Sequence, residues 1–159
     1  MIRSTLVLAF IFAVMPSAPS LADVKVTYVS PESYRDRDFR STRKRASILT
    51  EFDRYFEQLG ERYLGKGQVL KVEILDIDLA GRYEPWQPRF YDVRILRGTT
   101  PPRIKLRYEL RYKGKKVSEG EETISDLNYL MNTPARLSSK RFAYEKHMLR
   151  HWFRKRFSS

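Results

Sequence analysis

Cysteine is absent from all 159 residues. That excludes disulfides, thiolate-bound metals, cysteine redox chemistry and the cysteine-linked lipid anchor of an exported lipoprotein. Histidine occurs twice, as His147 and His151, so a catalytic triad would have to draw on those two. The seven glycines are scattered at turns, with no glycine-rich phosphate loop and no G-x-S-x-G nucleophile elbow. No apolar run approaches the roughly twenty residues that span a bilayer. Negative charge is scarce: 19 Asp+Glu stand against 31 Lys+Arg, a formal net charge of +12. The absences argue against an enzyme without identifying a function, and no cofactor is expected.

What is present begins with a leader. Arg3 is a short positive segment, and Leu6 to Met15 is an apolar run of ten residues. Pro16 to Ser20 breaks the run, and Ser20-Leu21-Ala22 offers the small residues that signal peptidase reads. Residues 1–22 are expected to be a cleavable signal peptide, and 23–159 a single domain in the periplasm or outside the cell. Removing Arg3 leaves 30 Lys+Arg against 19 Asp+Glu, or +11. Such a surplus favours anionic partners in a salt-dependent way. In an exported chain the expected partners are lipopolysaccharide, anionic lipid or an acidic protein. Nucleic acid is not expected, nor is a transmembrane segment after cleavage.

Val69 to Gly81, V-L-K-V-E-I-L-D-I-D-L-A-G, is the most strand-like stretch and is read as the central strand. Leu70, Val72 and Ile74 share one side, but beyond Leu75 the apolar parity passes to Ile77 and Leu79. A one-residue bulge near Leu75 would keep both sets on the core and turn Asp76 and Asp78 away from it. Before it, Val24 to Val29 alternates as a first strand. A basic connection holding Arg35, Arg37, Arg40, Arg43, Lys44 and Arg45 leads to a helix capped by Ser41 or Thr42. Ile48, Leu49, Phe52, Tyr55, Phe56, Leu59 and Tyr63 form its apolar stripe, read as core rather than as a ligand cleft. Strand, helix and strand at this spacing fit a βαβ unit with its two strands parallel.

Arg82 to Pro102 is irregular and rich in proline and aromatics, with a short strand at Asp92 to Leu96. Arg103 to Lys113 alternates cleanly, turns at Lys113-Gly114 and returns through Lys115 to Ser125. The return strand loses parity between Val117 and Ile124, and Gly120 is the expected bulge. Glu119, Glu121 and Glu122 are then placed to meet the basic side of the preceding strand and consume part of its charge. A short helical or turn piece at Leu127 to Met131 is broken by Pro134. Ser138 or Ser139 is expected to cap a last helix from Lys140 to Phe157, with Phe142, Leu149, Trp152, Phe153 and Phe157 inward and Met148 at the flank. The expected fold is α+β: a small mixed β-sheet with two helices packed on one face, in the order β-α-β-(β)-β-β-α.

Several of these pieces, taken together, resemble a known family. They are the strand ending in S-P-E-S-Y, the segment I-L-D-I-D-L-A-G, the P-P-R-I-K-L entry to the hairpin, G-E-E in its return and the C-terminal Y-E-K-H-M-L-R-H-W-F. They are similar to the exported Gram-negative family catalogued as a domain of unknown function, number 3016. The resemblance spans the mature chain. It implies export and one α+β domain, and brings no catalytic residue with it.

Three function classes follow. The leading one is a non-enzymatic binding or adaptor domain with a basic surface for an anionic envelope partner. Its candidate anion-binding residues are Arg103, Lys105, Arg107 and Arg111 on the hairpin and Lys146, Arg150 and Arg154 on the last helix. The second is a metal-binding protein or metal-dependent enzyme. Asp76 and Asp78, two apart on a strand, can ligate a hard cation or act as a carboxylate dyad. His147 and His151, four apart on a helix, can chelate a metal such as zinc. The plainer reading of the Asp pair is a salt-bridged strand face, and of the His pair a surface position. The third class is a structural subunit of an envelope complex, docking through the loop around Trp86.

Overall fold

The computed structural model describes residues 22–84, 86 and 93–158. Most of the expected leader, and much of the aromatic loop that includes Phe90 and Tyr91, lie outside the described residues.

β1 (Asp23–Tyr28) and β2 (Gln68–Asp78) pair in parallel, joined by α1 (Thr42–Tyr63). β5 (Arg103–Tyr112) runs antiparallel to β2, and β6 (Lys115–Ser125) antiparallel to β5, giving the sheet order β1-β2-β5-β6. Two short strands, β3 (Arg82–Tyr83) and β4 (Arg94–Ile95), pair separately. The chain closes with α2 (Thr133–Arg136) and α3 (Ala143–Phe157). This is the expected α+β fold, and the strand foreseen at Asp92 to Leu96 is the two-residue β4.

Alternation decides which face is buried. Leu70, Val72 and Ile74 of β2 and Ile104, Leu106, Tyr108 and Leu110 of β5 lie at 7 % exposure or less. Ile48, Phe52, Phe56 and Leu59 of α1 and Leu149, Trp152, Phe153 and Phe157 of α3 complete the same core cluster. The β2 register shifts between Ile74 and Asp76, so a bulge at Leu75 returns Ile77 and Leu79 to the core. The two-residue Lys113-Gly114 turn has φ of 49° and 79°, the left-handed pair a tight hairpin requires.

Three expectations are corrected. The β6 irregularity lies at Val117, not Gly120: Leu110 faces Ser118 while Arg111 faces Lys116. Val117 is itself the extra residue and points to solvent at 59 % exposure. Gly120 stays in register because the Tyr108 ring occupies the space beside it; an added Cβ would lie 3.0 Å from Tyr108 Cε1. With parity unbroken from Ser118 onward, Glu122 turns to the helix side, away from the basic strand face. There it accepts from Trp152 Nε1 at 3.1 Å and pairs with Arg156 at 2.8 Å. Second, α3 begins at Ala143 without a serine cap. Phe142 holds the boundary at φ 55°, its ring packed on Phe52. Third, Pro134 starts a helix instead of breaking one. It sits in the first turn of α2, where its missing N–H costs nothing, and Asn132 caps that turn through Ala135 N.

No described helix is long and apolar enough to cross a membrane.

Candidate functional site

β1 leaves the edge of β2 at Tyr28, so the second half of β2 needs another partner. The segment from Val29 to Asp38 supplies it. Val29 N and Tyr34 Oη donate to Ile74 O at 2.9 and 2.7 Å, and Arg35 N donates to Asp76 Oδ1 at 2.8 Å. The sequence then reads D-L-A-G, and three successive amides are taken by three different parts of the chain. Leu79 N donates to Asp36 Oδ2 at 3.1 Å, Ala80 N to Glu145 Oε1 at 2.7 Å and Gly81 N to Thr100 O at 3.0 Å. Gly81 has φ 77°, and a Cβ there would lie 2.6 Å from Ile95 O, so a side chain would be both strained and obstructed. The stretch joins the early loop, β4 and α3.

A buried ionic network fills that junction. Arg94 forks onto Asp36, with Nη1 to Oδ2 at 2.8 Å and Nη2 to Oδ1 at 2.9 Å, and also reaches Asp38 Oδ2 at 2.9 Å. Asp36 is 3 % exposed and accepts four hydrogen bonds: two from Arg94, one from Leu79 N and one from Asp38 N. Burial alone would raise the Asp38 carboxyl. Hydrogen bonds from Arg94, Lys44 and Tyr83 outweigh it and hold Asp38 below the ordinary range. Burial also works against the Arg94 charge, and the two carboxylates reverse that and raise its pKa. Glu145 is 3 % exposed, and burial pushes its carboxyl up despite the Ala80 amide.

Asp76 and Asp78 both lie off the core side, as the bulge requires. Asp76 receives Arg35 N and, loosely, the Arg35 side chain at 3.9 Å. Asp78 is 6 % exposed, pushed up by burial, and accepts from Arg82 Nη2 at 2.9 Å. His147 and His151 line a different place, a groove between β6 and α3 bounded by Glu122, Asp126 and Trp152. His147 meets the Asn132 amide, and burial lowers its pKa. Arg154 Nη2 lies 3.2 Å from His151 Nδ1. The structure does not bring the Asp pair and the His pair together. Among the described residues no three His, Asp or Glu side chains converge as a metal-ligating group.

The hairpin cations lie on the open sheet face, largely paired among themselves and their neighbours. Lys105 pairs with Glu121 at 2.9 Å. Arg107 bridges Glu73 and Glu121, both at 2.9 Å, and Arg111 meets Glu109 at 2.7 Å. Arg103 has no carboxylate among the described residues. On α3, Lys146 pairs with Glu51, while Arg150 and Lys155 have no carboxylate among the described residues. Lys140, Lys146, His147 and Arg150 share a recess of about 260 Å³ beside Tyr55.

Sequence reasoning missed Asp36, Asp38, Tyr83, Arg94 and Glu145. One of these was visible: Glu145 falls three residues after Phe142 and four before Leu149, on the apolar stripe of the last helix. A charge at a core position marks a buried partner. Arg94 had no such mark, because its meaning depends on β3 and β4 pairing.

Comparison with curated proteins and with solved structures gives no match. The model of one family does match, over residues 22–155, and by it the chain belongs to the family described as protein of unknown function, DUF3016.

Proposed function

We propose that this chain is a non-enzymatic binding domain of the cell envelope, exported from the cytoplasm, that holds a phosphate-bearing anionic surface against the outer side of α3. The observation that carries the reading is the unequal fate of charge on the two layers. On the open sheet face, Glu73, Glu109, Glu119 and Glu121 are paired with cations. On α3, five cations accompany one anion, Glu145, which is buried and turned to Ala80; Lys146 and Arg156 pair with Glu51 and Glu122, while Arg150, Arg154 and Lys155 have no carboxylate among the described residues. Lys140 extends the basic side into the preceding segment. The apolar stripe of the helix is used by the core, so its polar side is what a partner would meet.

Lipopolysaccharide and anionic phospholipid share phosphate groups, and both are available to an exported chain. Co-sedimentation with each, at low and at high salt, tests the reading. Association at low salt that weakens as salt rises is expected. No association with either at low salt overturns it, and binding to an acidic protein alone would replace the lipid with a protein partner.

A further inference from the structure

A second basic recess lies beside Tyr83 and shares no lining residue with the recess on α3. Its volume is about 340 Å³, and Arg35, Arg37, Arg40, Arg82 and Arg94 line it together with one carboxylate, Asp36. The carboxylate does not oppose an anion. Its two oxygens already accept four hydrogen bonds, which is the capacity of the group. Arg94 is likewise spent on Asp36 and Asp38, and forms the fixed floor.

The other four guanidiniums are positioned without being used up. Arg37 lies over the Tyr83 ring, 4.3 Å from its centroid, a stacking contact that holds the plane and leaves the edge donors open. Tyr83 is itself fixed by its hydroxyl, which donates to Asp38 at 2.9 Å, and by Arg94 at 4.8 Å from its centroid. Arg82 spends one corner, Nη2, on Asp78. Arg35 meets Asp76 only at 3.9 Å. Arg40 makes no hydrogen bond or ion pair among the described residues. Arg37 likewise pairs with no carboxylate among the described residues.

We propose that Arg35, Arg37, Arg40 and Arg82 form a binding site for a phosphate-monoester dianion. Guanidinium forks match phosphate oxygens two at a time, and a monoester offers them three terminal oxygens where a diester offers two. The dianion is either a small soluble phosphate ester or the headgroup of a monoester lipid. The site does not depend on the α3 reading.

Titration calorimetry of the full chain with inorganic phosphate tests it. One equivalent is expected to bind, with dimethyl phosphate, a monoanionic diester, weaker by about tenfold. Arg37→Ala and Arg40→Ala, both at exposed positions, are each expected to weaken phosphate binding by about tenfold while thermal unfolding confirms the fold. Lys140→Glu with Arg150→Glu is expected to leave phosphate binding unchanged, which separates this site from the α3 surface. Vesicles containing phosphatidic acid, tested in the Lys140→Glu with Arg150→Glu background so that α3 does not hold them, distinguish the two sources: binding lost on adding Arg40→Ala assigns the lipid headgroup, and no binding or indifference to Arg40→Ala assigns a soluble ester. No phosphate binding, equal affinity for dimethyl phosphate, or an equal loss in the α3 variant would overturn the proposal.

Discussion

At the scale of single residues, the buried charges decide how the molecule responds to mutation and pH. Arg94 is 20 % exposed and serves two carboxylates at 3 % and 12 %. Arg94→Ala strands both, so a loss of about 3–5 kcal/mol is expected in urea unfolding. A loss under about 1 kcal/mol would mean that the pairs behave as surface pairs do. The two shifted carboxyls pull in opposite directions with pH. The folded-state pKa of Asp38 is depressed, so its stabilisation is present above the ordinary value of 3.8 and fades as pH falls through the folded value. Glu145 is raised, so its contribution is full below the ordinary 4.5 and is lost as pH rises through the folded value. Glu145→Gln keeps an acceptor for Ala80 N and removes the titration. The variant is expected to gain stability relative to wild type as pH rises from below the ordinary 4.5 toward neutral. A constant difference across that range, measured by thermal or urea unfolding, would rule out a buried titrating Glu145.

At the scale of elements, local pattern was legible where alternation alone sets the outcome. The parity change at Leu75 gave the β2 bulge, and the aromatic stripe from Phe52 to Tyr63 gave α1, capped by Ser41, one of the two residues the sequence offered. Pattern misled where a distant side chain chooses the conformation. Glycine is a reasonable bulge residue, yet Gly120 is in register because Tyr108 needs its missing side chain. The Tyr108 ring meets Trp152 edge-on at 5.7 Å and Phe157 at 5.8 Å, so β5, β6 and α3 are locked through that one gap. Gly120→Val is therefore expected to cost about 1–3 kcal/mol by overpacking and to alter the fluorescence of Trp152. Val117→Gly, at the true bulge and in solvent, is expected to cost less than Gly120→Val. The reverse order would restore the bulge to Gly120. The start of α3 was misread for the same kind of reason: serine is a good cap in isolation, but the Phe142 ring is held by Phe52 across the helix pair.

At the scale of the whole molecule, composition announced a basic protein and left open where the surplus lies. The hairpin cations and the α3 cations read alike in sequence. They differ in the fold because β6 places Glu121 opposite Arg107 and within 2.9 Å of Lys105 as well, while the one glutamate of α3 is buried. The Arg35 to Arg40 stretch read as a basic connection, and it became a recess only once β3 and β4 brought Arg82 and Arg94 beside it. Net charge and charge placement can be separated with two variants of equal charge change. Lys140→Glu with Arg150→Glu alters the α3 side. Lys66→Glu with Lys115→Glu makes the same change at the hairpin end, where neither lysine has a carboxylate partner among the described residues. If the α3 surface holds the anionic partner, the first variant lowers association with anionic vesicles by about tenfold or more and flattens its salt dependence, since each cation near such a surface contributes about 1 kcal/mol. The second variant keeps most of the association. Equal losses would mean that total charge, and not the α3 surface, governs binding. Retention in both would move the interaction to the arginine recess, where Arg40→Ala would then weaken it by about tenfold.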